Sequence, residues 1–134
     1  MPEGETAVSK DYRKIKAWEK CDAFAFAVYG STRQFPREEL YGLTSQVRRA
    51  ALSAPTNIVE GCGRRTQRDY LLFLNRAETS LEEAGYLLDF SHRLGYLNTQ
   101  KAEELASLKG EAARVLTGLI TRIANDLDEE AKRK

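Results

Sequence analysis

Apolar residues recur every three or four positions along most of the chain, the spacing of helices with one buried face. Ile15, Trp18, Cys21, Ala25 and Val28 follow that step and predict a first helix from about Asp11 to Arg33. Its centre, CDAFAFAVYG, is apolar on nearly all sides, which predicts burial on more than one side and points to a subunit interface. Phe24 and Phe26 alternate with alanines as in a strand, but the charged helical run before them and the alanine content favour helix. Trp18, Tyr12 and Tyr29 read as core or interface residues.

In QFPREELYG, Pro36 suits a turn or first helical position, and Glu38 and Glu39 suit a helix N-terminus. A second helix then runs to about Gly61, with Leu43, Val47, Ala50 or Ala51, Ala54 and Ile58 as its apolar stripe. Pro55 falls inside it, removing one amide donor and crowding the Ala51 carbonyl, at a cost of about 3 kcal/mol. One bent helix is expected, with a break at Ala54–Pro55 as the competing reading. Gly61 and Gly63 are read as its end, through glycine's access to the left-handed conformation.

Thr66, with Asp69 three residues later, marks the start of a third helix. Its stripe is Tyr70, Phe73, Leu74, Ala77, Leu81, Ala84, Leu88 and Ser91, and it closes near His92, Arg93 and Gly95. Asn98 or Thr99 opens a fourth helix, with Leu105, Leu108, Ala112, Val115, Leu116, Leu119, Ile120, Ile123 and Leu127 inward, before a charged end, DEEAKRK, expected to fray. Residues 1–10 read as a loose tail, 11–130 as one domain and 131–134 as a charged end. Four amphipathic helices with short connections predict an all-α, antiparallel up-down-up-down four-helix bundle.

The net charge of +1 over 134 residues excludes a general polycation, so any nucleic-acid or anionic-lipid contact must come from a local patch. No apolar run approaches the ~18 residues of a membrane span. MPEGETAVSKDYRK lacks the apolar segment of a signal peptide. A cytoplasmic protein with no membrane partner is expected. Cys21 and Cys62 have no CxxC and no histidine pair, so no metal site, cofactor or disulfide framework is expected.

The second helix carries a polar stripe beside its apolar one: Gln46, Arg49, Ser53, Asn57 and Glu60, continued by Arg64 and flanked by Arg48 and Arg65. Arg68 and Arg76 follow on the third helix. Residues 37–76 hold seven arginines against four acids, whereas residues 77–91 hold four acids and no lysine or arginine. Two readings stand. In one, Gln46, Arg49, Asn57 and Glu60, with Ser80 and Glu83, form a polar network between helices or subunits, in which Arg49 pairs with Glu60 or another acceptor. In the other, arginines meet phosphate, with Arg48, Arg64, Arg65, Arg68 and Arg76 as the candidates. Guanidinium suits both, because its planar fork fits carboxylate and phosphate alike. Arg64, Arg65 and Arg68 crowd the start of the third helix, where free amides favour an anion.

Catalytic signals are poor. GCGRR has no Walker pattern and no preceding strand, the lone His92 sits at a helix end, and Glu82–Glu83 lacks the ExxH of di-iron bundles. No catalytic residue is assigned and no enzyme is expected.

Pro36, Gly42, Leu43, Gln46, Arg48, Arg49, Ala50, Ala51, Pro55, Asn57, Ile58, Glu60, Gly61, Gly63 and Arg64, followed by Ser80, Leu81 and Glu83, form one long pattern. In this the chain resembles the 23S rRNA-intervening-sequence protein family of small bacterial four-helix bundles, over roughly residues 12–125. The resemblance implies a homo-oligomeric ring, commonly a pentamer, without catalytic activity. It also implies nucleic-acid binding, to RNA or DNA, or an accessory role beside a protein such as a reverse transcriptase.

Overall fold

The computed structural model describes residues 10–133, so the tail expected over residues 1–10 lies outside the described residues except for Lys10. Four helices follow one another: α1 Lys16–Ser31, α2 Leu43–Cys62, α3 Gln67–Arg93 and α4 Thr99–Arg133. Each packs on its neighbours in sequence, and α1 also packs on α4, which closes a four-cornered, up-down-up-down bundle. The antiparallel register of α3 and α4 shows in two bonds, Lys109 to Glu82 at 2.8 Å and Thr117 to Glu78 at 3.1 Å. On the other side of α4, Lys20 pairs with Glu111 at 2.8 Å.

The first helix starts later than its periodicity predicts. Asp11 accepts from the Arg13 amide and caps a separate 3-10 turn, Tyr12–Lys14, and Ile15 is then extended, so α1 begins at Lys16. Nor is α1 buried all round: Phe24 is fully enclosed, while Phe26 is 79% exposed. Residues two positions apart on a helix lie about 200° apart around its axis, so Phe24 and Phe26 cannot share one core face.

Pro36 precedes a 3-10 turn, Arg37–Glu39, and α2 starts only at Leu43. Glu39 organises this junction. Its carboxylate accepts from the Leu43 amide at 3.2 Å and from the Tyr96 hydroxyl at 3.0 Å, joining the α1–α2 and α3–α4 connections. The Phe35 and Tyr96 rings pack beside it, centroids 5.4 Å apart.

Pro55 does not break α2, which is one continuous helix. Two side chains next to the proline back-bond to nearby carbonyls: Thr56 to Leu52 O at 2.8 Å and Asn57 to Ser53 O at 2.9 Å. The reading of Gly61 and Gly63 as left-handed caps is overturned. Gly61 lies inside α2, Gly63 has φ −89°, and among the described residues the positive-φ glycine is Gly95, at 84°. Gly61 is required by packing instead. A Cβ there would stand 3.0 Å from Phe73 Cβ and 3.0 Å from a Tyr70 ring carbon, so α3 rests directly on the α2 backbone.

The remaining ends follow expectation. Thr66 accepts from the Asp69 amide at the start of α3. At its close, Tyr96 N–H donates to Ser91 O and Gly95 N–H to His92 O, the paired bonds of a left-handed glycine stop. Asn98 accepts from the Lys101 amide and caps α4. α4 is helical through Arg133, so the charged run from Asp128 continues the helix among the described residues.

Cys21, Phe24, Val28, Val47, Ile58, Tyr70, Leu74, Leu81 and Leu116 sit at the centre, fully enclosed. No described helix is long and apolar enough to cross a membrane.

Candidate nucleic-acid interface

The corner between α2 and α3 is built by short-range bonds. Gly63 and Arg64 amides turn back onto Glu60 and Gly61 carbonyls, and Thr66 is extended before α3 begins. This places Arg64 and Arg65 on an exposed turn, with Arg68 and Arg76 on the exposed face of α3. Arg68 and Arg76 are two turns apart, about 12 Å along the axis.

Phe73 holds two of these cations. Its half-buried ring carries Arg64 at 5.3 Å and Arg76 at 4.8 Å from the centroid. Stacking fixes a guanidinium through its face and leaves its N–H edges available. Among the described residues, none of Arg64, Arg65, Arg68 and Arg76 forms a salt bridge, whereas Arg13 and Arg93 each hold a carboxylate at 3.0 Å. The corner is therefore cationic and uncompensated by local ion pairs. The sequence reading placed Phe73 in the core stripe and missed this platform. Its signal was the Phe73–Arg76 spacing, which puts the two on one helix face.

Arg48 is placed differently from the other candidates. Its Nε donates to Thr32 Oγ1 at 2.8 Å, and its guanidinium lies 5.0 Å over the Tyr29 ring. It therefore ties α2 to α1, away from the corner.

The polar stripe separates into two parts. Asn57 donates to Ser53 Oγ at 3.0 Å, and Ser53 Oγ lies 2.9 Å from Ser80 Oγ on α3. That is an interhelical network within one chain. Within one chain, among the described residues, Arg49 donates to Ser45 Oγ at 3.3 Å and not to Glu60, and neither Glu60 nor Glu83 makes a salt bridge. Eleven residues of helix separate Arg49 from Glu60 by about 16 Å, beyond the reach of either side chain. Gln46, Arg49, Glu60 and Glu83 are all exposed, and among the described residues none of the three charged ones forms a salt bridge.

Both thiols are buried. Burial pushes the Cys21 thiol up to about 12. Burial raises Cys62 too, and it raises the Tyr70 hydroxyl, which lies beside Cys62. These are inert core groups rather than nucleophiles.

Comparison with known proteins agrees with this architecture. A family model described as "23S rRNA-intervening sequence protein" matches residues 13–118. Among solved structures, the chain is similar to a Bacteroides thetaiotaomicron VPI-5482 protein described as of unknown function, from the S23 ribosomal protein family. The two are 21% identical with a TM-score of 0.69, over 78% of this chain and 97% of that one. No curated protein matches the chain.

Proposed function

The chain belongs to the 23S rRNA-intervening sequence protein family, and from that premise we propose that it is a non-enzymatic, cytoplasmic, homo-oligomeric bundle that binds structured nucleic acid. The contact runs through Arg64, Arg65, Arg68 and Arg76 at the α2–α3 corner. One observation carries this reading: four exposed arginines without salt-bridge partners among the described residues, two of them over the same Phe73 ring. Uncompensated guanidinium edges held on a rigid platform suit phosphate oxygens. A near-neutral chain gains from assembly, since a ring such as a pentamer repeats the patch and raises avidity without new contacts. The outward residues Gln46, Arg49, Glu60 and Glu83 are suited to the subunit contact.

The test is binding of a structured RNA and of duplex DNA across a salt series. Affinity that falls steeply with salt is expected. Absence of binding at low salt, or a salt-independent signal, overturns the reading.

A protein-binding scaffold is the alternative, favoured by aromatic residues at the surface, Tyr41 at 94% and Tyr86 at 59% exposure. A charge map of the assembled oligomer separates the two: a continuous basic rim favours nucleic acid, and a mixed or acidic surface favours the scaffold.

A further inference from the structure

The connection between α1 and α2 borders a cavity of about 410 Å³ that the nucleic-acid reading does not use. Arg33, Arg37 and Arg48 line it, and no carboxylate does. Phe35, Pro36 and Leu40 add an apolar wall. None of the three arginines forms a salt bridge among the described residues. Of the acids in the adjoining 3-10 turn, Glu38 is exposed, and the Glu39 carboxylate is held by the Leu43 amide and the Tyr96 hydroxyl.

Two side chains are set before any ligand arrives. Arg48 is anchored through Nε on Thr32 Oγ1 and over the Tyr29 ring, and its Nη1 has no hydrogen-bond partner among the described residues. Thr44 also lines the cavity. It is only 3% exposed, and its Oγ1 is buried without a hydrogen-bond partner among the described residues. A buried hydroxyl without a partner destabilises a fold, and an acceptor brought by a ligand removes that cost.

We propose that this cavity binds a small phosphate monoester, its phosphate among the three guanidiniums and its organic part against Phe35, Pro36 and Leu40. A monoester phosphate carries close to two negative charges at neutral pH and three terminal oxygens. That matches three unpaired arginine forks in one cavity. A carboxylate, with one charge and two oxygens, leaves one fork unused. The Thr44 hydroxyl donates to a phosphate oxygen and gains the acceptor that the chain does not supply. The site is separate from the arginine corner, because Thr44 and Cys62 stand near opposite ends of α2, about 27 Å apart.

The experiment is isothermal titration calorimetry of the full chain in phosphate-free buffer at low salt. The probes are phenyl phosphate and inorganic phosphate, with phenol as the uncharged control. Both phosphates are expected to bind, phenyl phosphate more tightly, and phenol is not. Arg33→Gln and Arg37→Gln, both at exposed positions, are each expected to weaken phenyl phosphate at least about tenfold, as loss of a charge-assisted contact does. Thr44→Val is expected to weaken it too, without lowering the urea midpoint, because the lost hydroxyl has no partner in the chain. Arg65→Ala, at the distant corner, is expected to leave phenyl phosphate binding unchanged. An oligonucleotide with a terminal phosphate is the other source of this group. A free small molecule is the ligand if the phosphorylated oligonucleotide displaces phenyl phosphate no better than its unphosphorylated form, and displacement by the phosphorylated form alone overturns that assignment. Absence of phosphate binding at millimolar concentration, phenol binding as tightly as phenyl phosphate, or unchanged affinity in both arginine variants overturns the site.

Discussion

Ser53 Oγ and Ser80 Oγ stand 2.9 Å apart across the α2–α3 contact, and the Asn57 amide donates to the same Ser53 hydroxyl at 3.0 Å. Three polar residues inside the strip where two helices touch thereby satisfy one another. Ser80 keeps a second bond to the Arg76 carbonyl and Asn57 one to the Ser53 carbonyl, so removing the shared hydroxyl orphans neither. Ser53→Ala is expected to cost about 1 kcal/mol, the net worth of an ordinary hydrogen bond, in urea denaturation. A cost above about 3 kcal/mol would show that the hydroxyl carries more than these contacts.

Gly61 should tolerate no side chain. Gly61→Ala puts a Cβ 3.0 Å from the Phe73 Cβ, which the α3 backbone fixes, and 3.0 Å from a ring carbon of the buried Tyr70, so one of them must give by a few tenths of an ångström. Separation of α2 from α3 is expected to cost about 1–3 kcal/mol, the usual penalty of overpacking. An unchanged denaturation midpoint would contradict the close approach.

Arg49→Ala should leave the fold of a single chain intact. The side chain is exposed and holds only Ser45, so the change is expected to stay within roughly 0.5 kcal/mol at concentrations where the chain is dissociated. If Arg49 serves the subunit contact, its loss appears instead as a smaller mass in size-exclusion chromatography with light scattering.

Arg65→Ala and Arg68→Ala should each lower the salt slope of nucleic-acid binding by about one unit, as loss of one phosphate contact does. Arg48→Ala serves as the contrast. It should lower thermal stability by removing the Thr32 and Tyr29 contacts, and leave the slope unchanged.

Alkaline pH should destabilise the protein. Burial raises the folded Cys21 thiol from 9.0 to about 12, so the unfolded chain loses this proton first. The contribution is therefore complete below about pH 9 and is lost as pH rises toward 12. Tyr70, raised chiefly by burial, acts in the same direction. Denaturation midpoints should fall between pH 8 and about pH 10.5, and Cys21→Ala should fall less steeply. Both thiols should also resist a thiol reagent until the chain unfolds.

The sequence by itself determined most of what depends on neighbours within one or two helical turns, though not the close of α2 at Gly63 or the turn before α1. The Thr66–Asp69 cap, the Gly95 stop, the Asn98 start and the inner stripes of α3 and α4 are local, and each was legible from spacing and residue chemistry. Even the arginine corner was visible, because Arg64, Arg65 and Arg68 are adjacent in the chain. Tertiary structure decided which residues meet across helices. Arg48 points to α1 rather than to the corner, and Phe73 is a platform for two guanidiniums rather than core. Gly61 is glycine because a neighbouring helix lies on it. Arg49 and Glu60 share a face yet do not meet within one chain, because sharing a face fixes direction and not distance. Phe24 and Phe26 look equivalent in the sequence. Burial of one and exposure of the other is set by where α2 and α4 pack, and a helix has only one side to give them.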